Sequence, residues 1–466
     1  MIQKKETTFP KYPAYKDSGV EWLGEIPIDW TLGKLGTLLK PISIKGKPDL
    51  PLLSITRELG VIERNLDEDE GNHNFIPDDL SGYKVIRKGQ FGMNKMKAWQ
   101  GSYGISRFTG IVSPAYYVFD FTSEIDPSFF HYAIRSKNYV AFFGRASDGV
   151  RIGQWDLSKN RMKEIPFFIP SPTEQTAIAA FLDDKTTKID RAIAQKEQLI
   201  ALLKERKQIV IQNAVTKGLN HGFNGLKDYT DENSESVKSR NPSKSVVQTK
   251  MKDSGVAWIG EIPEHFSITK LGLCVKPVSI KNRPDLPLLS ITRELGVIVR
   301  DVEDQESNHN FIPDDLSGYK VIRKGQFGMN KMKAWQGSYG VSKYDGIISP
   351  AYYVFDLISN INPDFFHLAI RSKIYVPFFA AASDGVRIGQ WDLNKSRMKE
   401  IPIVVPPLEE QIKAIEHVKT QSKKIANAIS QQQTQIEKLK EYKASLIDGA
   451  VTGKIRVPSS VGRNKS

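Results

Sequence analysis

The chain has 466 residues, of which 40% are hydrophobic and 26% are charged, a balance that is typical of folded proteins and excludes wholesale disorder. Its 66 lysines and arginines outnumber its 53 acidic residues, and the net charge of +13 favours a polyanionic partner, nucleic acid before a membrane surface. A single cysteine, Cys274, excludes disulfides and thiolate metal clusters, and we expect it to be a small buried residue. Because no signal peptide and no apolar stretch of membrane-spanning length are recognisable, we expect a cytoplasmic protein without membrane contact.

A long internal repeat divides the chain into two halves. Asp17 recurs as Asp253, 236 positions later, and the shift holds without insertion or deletion as far as Gln175 and Gln411. Two segments are identical in both halves: 72–104 with 308–340, and 146–157 with 382–393. A repeat of this length is far longer than a solenoid unit, so we expect two copies of one domain.

The repeated unit has the pattern of a mixed α and β domain. Segments rich in β-branched and aromatic residues predict strands at 52–56, 61–64 and 111–121. Apolar residues at near-helical spacing predict a helix over 128–143. A proline-rich border then indicates the end of the domain.

Each domain is followed by a segment with a heptad pattern. Apolar residues recur at multiples of seven from Leu182 to Val210, and again from Val418 to Leu446. This pattern predicts two long helices that pack as an antiparallel coiled coil. One polar residue interrupts each helix near its middle, Lys196 and Gln432, and we expect this pair to set the helix register.

The predicted organisation has six segments, described by residue number. They are a first domain (12–172), a first spacer helix (173–219), a polar linker (220–250), a second domain (251–408), a second spacer helix (409–452) and a polar tail (453–466).

No motif for catalysis is recognisable, so we expect a non-catalytic chain without a metal site. The glycines near Gly449 have the wrong spacing for a phosphate-binding loop. A nuclease motif could be forced from Asp184 and Glu205, but both residues lie in a predicted coiled-coil helix. An undetected nuclease is therefore one of the alternative hypotheses for the function of this chain.

Two loops in each half combine basic, amide, hydroxyl and aromatic side chains, which suit phosphate contacts and base reading. The candidate DNA-binding residues of the first domain are Lys95, Lys97, Trp99, Gln100, Ser102, Tyr103, Arg151 and Gln154. Those of the second domain are Lys331, Lys333, Trp335, Gln336, Ser338, Tyr339, Arg387 and Gln390. Trp99 is as compatible with a place in the core as with a DNA contact. The lysines are also compatible with an ordinary solvated face. The identity of both loops between the halves favours shared recognition, although a recent duplication would give the same identity.

Several motifs resemble one known family. They are residues 16–27, 172–175 and 214–219 in the first half, and 252–263, 407–411 and 450–454 in the second. Together they resemble the specificity subunits of type I restriction-modification systems over nearly the whole chain. The resemblance implies two target recognition domains, separated by two conserved helices packed antiparallel, with each domain reading one half of a bipartite site in double-stranded DNA.

The resemblance also implies partners and cofactors outside this chain. Two DNA-methyltransferase subunits, which bind S-adenosylmethionine, would attach around the helices. Restriction and translocase subunits would use ATP and Mg. Because the reading loops are identical, we expect a palindromic target. The alternative is a stand-alone sequence-specific DNA-binding regulator.

Overall fold

The computed structural model describes residues 9–20, 24–64, 76–122, 125–151, 154–219, 249–301, 312–387 and 390–458. Most of the predicted linker and part of the predicted tail lie outside these residues.

The described first half contains short strands, four short α-helices, one 3-10 turn and one long helix. In chain order they are β1 (Tyr15–Asp17), β2 (Glu25–Pro27), β3 (Thr31–Lys34), α1 (Leu35–Leu38), β4 (Leu39–Ile42), β5 (Leu53–Thr56), β6 (Gly60–Glu63), β7 (Lys84–Ile86), β8 (Phe91–Asn94), the 3-10 turn Ala98–Gln100, β9 (Tyr103–Ile105), β10 (Gly110–Val112), β11 (Tyr116–Phe121), α2 (Pro127–Ile134), α3 (Lys137–Arg145), β12 (Ser147–Arg151), β13 (Gln154–Leu157), α4 (Lys159–Lys163), β14 (Pro166–Ile169) and α5 (Pro172–Thr216).

The described second half repeats this order. Its elements are β15 (Met251–Asp253), β16 (Glu261–Pro263), β17 (Ser267–Lys270), α6 (Leu271–Cys274), β18 (Val275–Val278), β19 (Leu289–Thr292), β20 (Gly296–Val299), β21 (Lys320–Ile322), β22 (Phe327–Asn330), the 3-10 turn Ala334–Gln336, β23 (Tyr339–Val341), β24 (Gly346–Ile348), β25 (Tyr352–Leu357), α7 (Pro363–Ile370), α8 (Val376–Ala381), β26 (Ser383–Arg387), β27 (Gln390–Leu393), α9 (Lys395–Lys399), β28 (Pro402–Val405) and α10 (Leu408–Val451).

Both halves have the same sheet topology, which confirms that the repeat is a mixed α and β fold. In the first half, a four-stranded antiparallel sheet has the order β4, β11, β8, β9. Five antiparallel pairs accompany it: β1–β2, β3–β14, β5–β6, β7–β10 and β12–β13. The second half has the corresponding sheet, β18, β25, β22, β23, and the corresponding pairs.

The predicted helix over 128–143 is wrong as a single element, because the structure contains two helices, α2 and α3. Asp126 caps the first by accepting hydrogen bonds from the backbone N–H groups of Ser128 and Phe129. Arg135 ends this helix, and its side chain is used in a tertiary contact described below. The predicted strand 111–121 is likewise two strands, separated by a turn at Pro114.

The chain forms two compact units, and each includes part of both long helices. Unit 1 comprises Met1–Glu197 and Gln433–Ser466, and unit 2 comprises Gln198–Gln432. Each unit therefore combines one globular domain, the first part of the helix that follows it, and the last part of the other helix.

The core of unit 1 joins three separate parts of the sequence. Trp30 and Phe130 of the domain are fully buried beside Leu182 of α5, together with Leu446 and Ala450 from the end of α10. Full burial of a large apolar side chain contributes about 1.5–3 kcal/mol, so the helix ends are part of the core and not an accessory to it.

Unit 2 has the equivalent core. Phe266, in the position of Trp30, is buried in a cluster with Ala214 of α5 and Val418 of α10. Cys274 is also buried in this cluster, which confirms that it is a small buried residue.

Candidate DNA interface

The two loops predicted to read DNA pack against each other in both domains. Trp99 stacks on Trp155 with ring centroids 5.4 Å apart and an interplanar angle of 28°. Lys95 Nζ lies 3.3 Å from Asp156 Oδ2. The second domain has the same contacts, with a centroid distance of 5.4 Å between Trp335 and Trp391 and 3.5 Å between Lys331 and Asp392. The structure thus joins the segment 94–103 to the hairpin β12–β13 as one surface.

The predicted residues differ in their exposure on this surface. Lys97 is exposed, whereas Lys95, Trp99 and Gln100 are half-buried, and the copies have the same burial. The backbones of Arg151 and Gln154 pair across the hairpin, as those of Arg387 and Gln390 do in the second domain. The positions of these four side chains lie outside the described part of the structure.

The prediction that Ser102 and Tyr103 contact DNA disagrees with their burial. Ser102 is 2% exposed and Tyr103 is 0% exposed, because Tyr103 packs inside the domain with its ring centroid 4.5 Å from that of Phe143. Burial also raises the pKa of the Tyr103 hydroxyl above its ordinary value. The copies Ser338 and Tyr339 are buried in the same way. These four side chains support the loop from beneath.

Lysines from separate segments of the chain gather near Tyr117, among them the predicted Lys95, together with Lys159, which sequence reasoning missed. Lys159 Nζ lies 4.6 Å from the centroid of the Tyr117 ring, and Lys84 Nζ lies 5.8 Å from it. Lys84 also donates a 2.7 Å hydrogen bond to the backbone carbonyl of Tyr116. Burial lowers the pKa of Lys84, and the positive charges of Lys45, Lys159 and Lys95 lower it further. We call Lys45, Lys84, Lys95 and Lys159 the lysine cluster.

The second domain has its own lysine cluster around Tyr353. Its members are Lys281, Lys320, Lys331 and Lys395. Burial followed by the charges of the other three lysines lowers the pKa of Lys320. Mutual repulsion of this kind is relieved by a bound polyanion, which makes each cluster suited to phosphate contacts. The sequence does contain a signal for the clusters, because every lysine of the first cluster has a lysine 236 positions later in the second. The lysines of one cluster are far apart along the chain, so no local pattern connects them.

A half-buried arginine supports the loop below the interface through hydrogen bonds to three backbone carbonyls. Arg135 Nη1 donates to the carbonyl of Tyr103 at 2.6 Å, and its Nη2 donates to the carbonyls of Arg57 and Glu58 at 2.7 and 2.8 Å. Arg371 makes the corresponding bonds in the second domain. One guanidinium therefore ties the β5–β6 turn to β9.

A neutral histidine lies beside this arginine. His131 Nδ1 accepts a 3.2 Å hydrogen bond from the backbone N–H of Ile105. Burial lowers the pKa of His131 to about 3, with further contributions from the charges of Arg135 and Arg107. Burial, followed by the charges of Arg371 and Lys343, lowers the pKa of His367 to about 4. Both imidazoles are neutral at neutral pH, so they add no charge to the interface.

The glutamine of the Pro-Thr-Glu-Gln motif connects α5 to its domain. Gln175 is 1% exposed; its Oε1 accepts from the backbone N–H of Asp126 at 2.9 Å, and its Nε2 donates to the Pro170 carbonyl at 3.0 Å. Gln411 makes equivalent bonds with the Asn362 N–H and the Pro406 carbonyl. These glutamines fix the orientation of each long helix against the domain that precedes it.

The two long helices run antiparallel within unit 1. Lys196 donates a hydrogen bond to Gln435 Oε1, and Lys443 Nζ lies 2.7 Å from Asp190 Oδ1. Because Asp190 precedes Lys196 while Lys443 follows Gln435, the segments have opposite directions. Gln435 is three residues from Gln432, the partner of Lys196 expected from the sequence. Coiled-coil packing and the Lys196–Gln432 register stay predictions.

The described residues contain no group of three or more histidine, cysteine or acidic side chains placed to hold a metal ion. None of the helices in the described ranges is both long and apolar enough to cross a membrane.

Comparison with known proteins finds a curated relative along most of the chain. The EcoDI specificity subunit of a type I restriction enzyme from Escherichia coli is 21% identical over 423 residues, which are 87% of this chain and 86% of that protein. The chain is similar to type I specificity subunits. No family model matches the sequence.

Solved structures of type I systems also align with the chain. One of them comes from work on complex assembly and conformational transition of the type I R-M system. It matches with a TM-score of 0.59 at 14% identity, and the alignment covers 91% of this chain and 98% of that one. This match shows a shared fold. The crystal structure of an HsdS subunit from Thermoanaerobacter tengcongensis aligns over 92% of this chain and 98% of its own, at 14% identity and a TM-score of 0.48.

Proposed function

We propose that this chain is the DNA-recognition subunit of a type I restriction-modification complex, in which it directs adenine methylation and restriction by partner subunits. The observation that carries the proposal is the similarity to the EcoDI specificity subunit, which extends over 87% of the chain and therefore includes parts of both domains. A shared fold with a solved type I structure supports it.

The two lysine clusters support DNA as the ligand. Each domain groups four lysines, three of them near one tyrosine, next to a loop pair that in the first domain presents Lys97 and Gln100. Lysines neutralise phosphates without regard to sequence, while amide side chains can pair with base edges. One such face in each domain fits a site read as two half-sites.

The identical loops support a palindromic target. Residues 91–105 and 154–157 form the same strands and the same tryptophan stack in both domains. Equivalent surfaces should prefer the same short sequence, and the antiparallel helices favour half-sites in opposite orientation.

In this proposal the chemistry belongs to the partners. Methyltransferase subunits would bind S-adenosylmethionine, and restriction subunits would bind ATP and Mg, so this chain would hold neither cofactor. The residues described above fit this role, because they provide cationic and hydrogen-bonding surfaces.

Purification and methylome sequencing test the proposal together. The chain should co-purify with a DNA methyltransferase in stoichiometric amount, and deletion of its gene should remove one adenine methylation motif from the genome. The isolated chain should transfer no methyl group. Methyl transfer by the chain alone would contradict the assignment, and sequence-specific binding without an associated methyltransferase would favour the stand-alone regulator.

A further inference from the structure

An acidic side chain lies within the lysine cluster of each domain. Asp156 lies 3.3 Å from Lys95, and both residues influence the pKa of Tyr117, the lysine lowering it and the acid raising it. Asp392 occupies the same place beside Lys331 and Tyr353. An acid here repels phosphate, so affinity for the DNA backbone does not explain its presence in both domains.

The carboxylate has unused hydrogen-bonding capacity. A carboxylate can accept about four hydrogen bonds, whereas the described contact of Asp156 is the single one from Lys95. Asp156 Oδ1 is buried and accepts no hydrogen bond, and Asp392 Oδ1 is buried 3.5 Å from Lys331 Nζ, also without a hydrogen bond. Because Oδ1 is buried, the 45% exposure of each side chain lies elsewhere on it, and a donor from outside approaches the carboxylate at its other oxygen, Oδ2.

The neighbouring tryptophans fix the strand that carries this carboxylate. Trp155 immediately precedes Asp156, and its stack on Trp99 fixes the β13 backbone against the opposite loop. The same stack precedes Asp392. A side chain on such a support loses little conformational freedom when it binds, which is what an element that discriminates between bases requires.

A carboxylate on a DNA-binding surface discriminates between base edges by charge. It accepts from the amino groups of cytosine N4 and adenine N6, and it repels the keto oxygens of guanine and thymine. We infer that Asp156 and Asp392 are specificity-determining residues, each accepting a hydrogen bond from an exocyclic amino group of one base in its half-site. This inference rests on the proposed function and names residues that read sequence within it.

The experiment compares Asp156→Asn and Asp392→Asn in the full-length chain, each co-expressed with the methyltransferase. The wild-type motif is determined first; if the wild-type chain directs no methylation, the proposed function fails, independently of either aspartate. Asparagine keeps the shape of the side chain but adds a donor, so keto bases are no longer repelled. Asp156→Asn should relax one position of one half-site, lowering discrimination about 5- to 150-fold, and Asp392→Asn should relax the equivalent position of the other.

Each variant carries an internal control, because the half-site read by the unaltered domain should keep its sequence and report a folded chain. Glu164→Gln is the matched control, since it removes the acid of another exposed ion pair, with Lys34 at 2.5 Å, in the same domain. Lys95→Met separates base recognition by Asp156 from the contribution of its lysine partner. This variant should weaken binding to all DNA sequences and leave the methylation motif unchanged. The inference is overturned if Asp156→Asn leaves the motif intact, if both half-sites change together, or if Lys95→Met produces the same relaxed position.

Discussion

The lysine clusters give a quantitative prediction about the salt dependence of DNA binding. Changing Lys45 and Lys159 to methionine removes two exposed charges of one cluster, one of them held 4.6 Å from the Tyr117 ring centroid. If each contacts one phosphate, the slope of log K against log salt should flatten by about 1.8. With all eight lysines of the two clusters engaged, the wild-type slope from these contacts is about −7.

Fluorescence anisotropy with the methyltransferase complex measures this slope between roughly 50 and 200 mM salt. The double variant should lower the affinity for specific and random duplexes by the same factor, because phosphate contacts carry no sequence information. Lys188→Met is the control, since Lys188 is exposed on α5 and paired with Asp184 at 2.7 Å. An unchanged slope, or a loss confined to the specific duplex, would refute the assignment of the clusters to phosphates.

Three further predictions concern the target, the helices and pH. Methylome sequencing should return an inverted repeat with an unspecified spacer; two unrelated half-sites would show that loop identity does not determine base preference. Residues 1–219 expressed alone should form a homodimer that still directs methylation, because Val210 and Ala214 of one copy can occupy the places of Leu446 and Ala450 in the other; light scattering that finds an inactive monomer would contradict it. The free energy of unfolding should fall as pH decreases from about 6.5 to 4, since the pKa values of His131 and His367 are lowered to about 3 and about 4 and the unfolded chain binds protons first. His131→Gln should reduce that loss in denaturant titrations.

The sequence predicted the features that depend on periodicity or on identity between the halves. The heptads from Leu182 and Val418 correspond to the two long helices, and the loops around Trp99 and Trp155 do form one surface. The helices are visible because each is encoded in one continuous stretch of chain, and the loops because each is identical in both halves.

Features that depend on contacts between distant segments were missed. The lysine cluster draws Lys45, Lys84 and Lys159 from three separate segments, and no local pattern connects them. Tyr103 was placed on the surface because its polar neighbours suggest a loop. In the structure both faces of β9 are covered: Tyr103 packs inside the domain, and a Cβ added at the adjacent Gly104 would lie 3.1 Å from the His131 ring and 3.4 Å from Gly60 Cα. The break after α2 has the same origin, since Arg135 is held by three distant carbonyls.

The contribution of the end of α10 to unit 1 sets an order for folding during synthesis. Unit 2 is one continuous stretch, Gln198–Gln432, so all of its contacts become possible once that stretch has left the ribosome. The first domain is made earlier, yet its core contains Leu446, Ala450 and Val457, and the backbone N–H of Arg456 donates to the Pro10 carbonyl at 2.6 Å. The part of the protein that is translated first is therefore completed last, and until then the face that receives the helix end is exposed to chaperones and to other nascent chains.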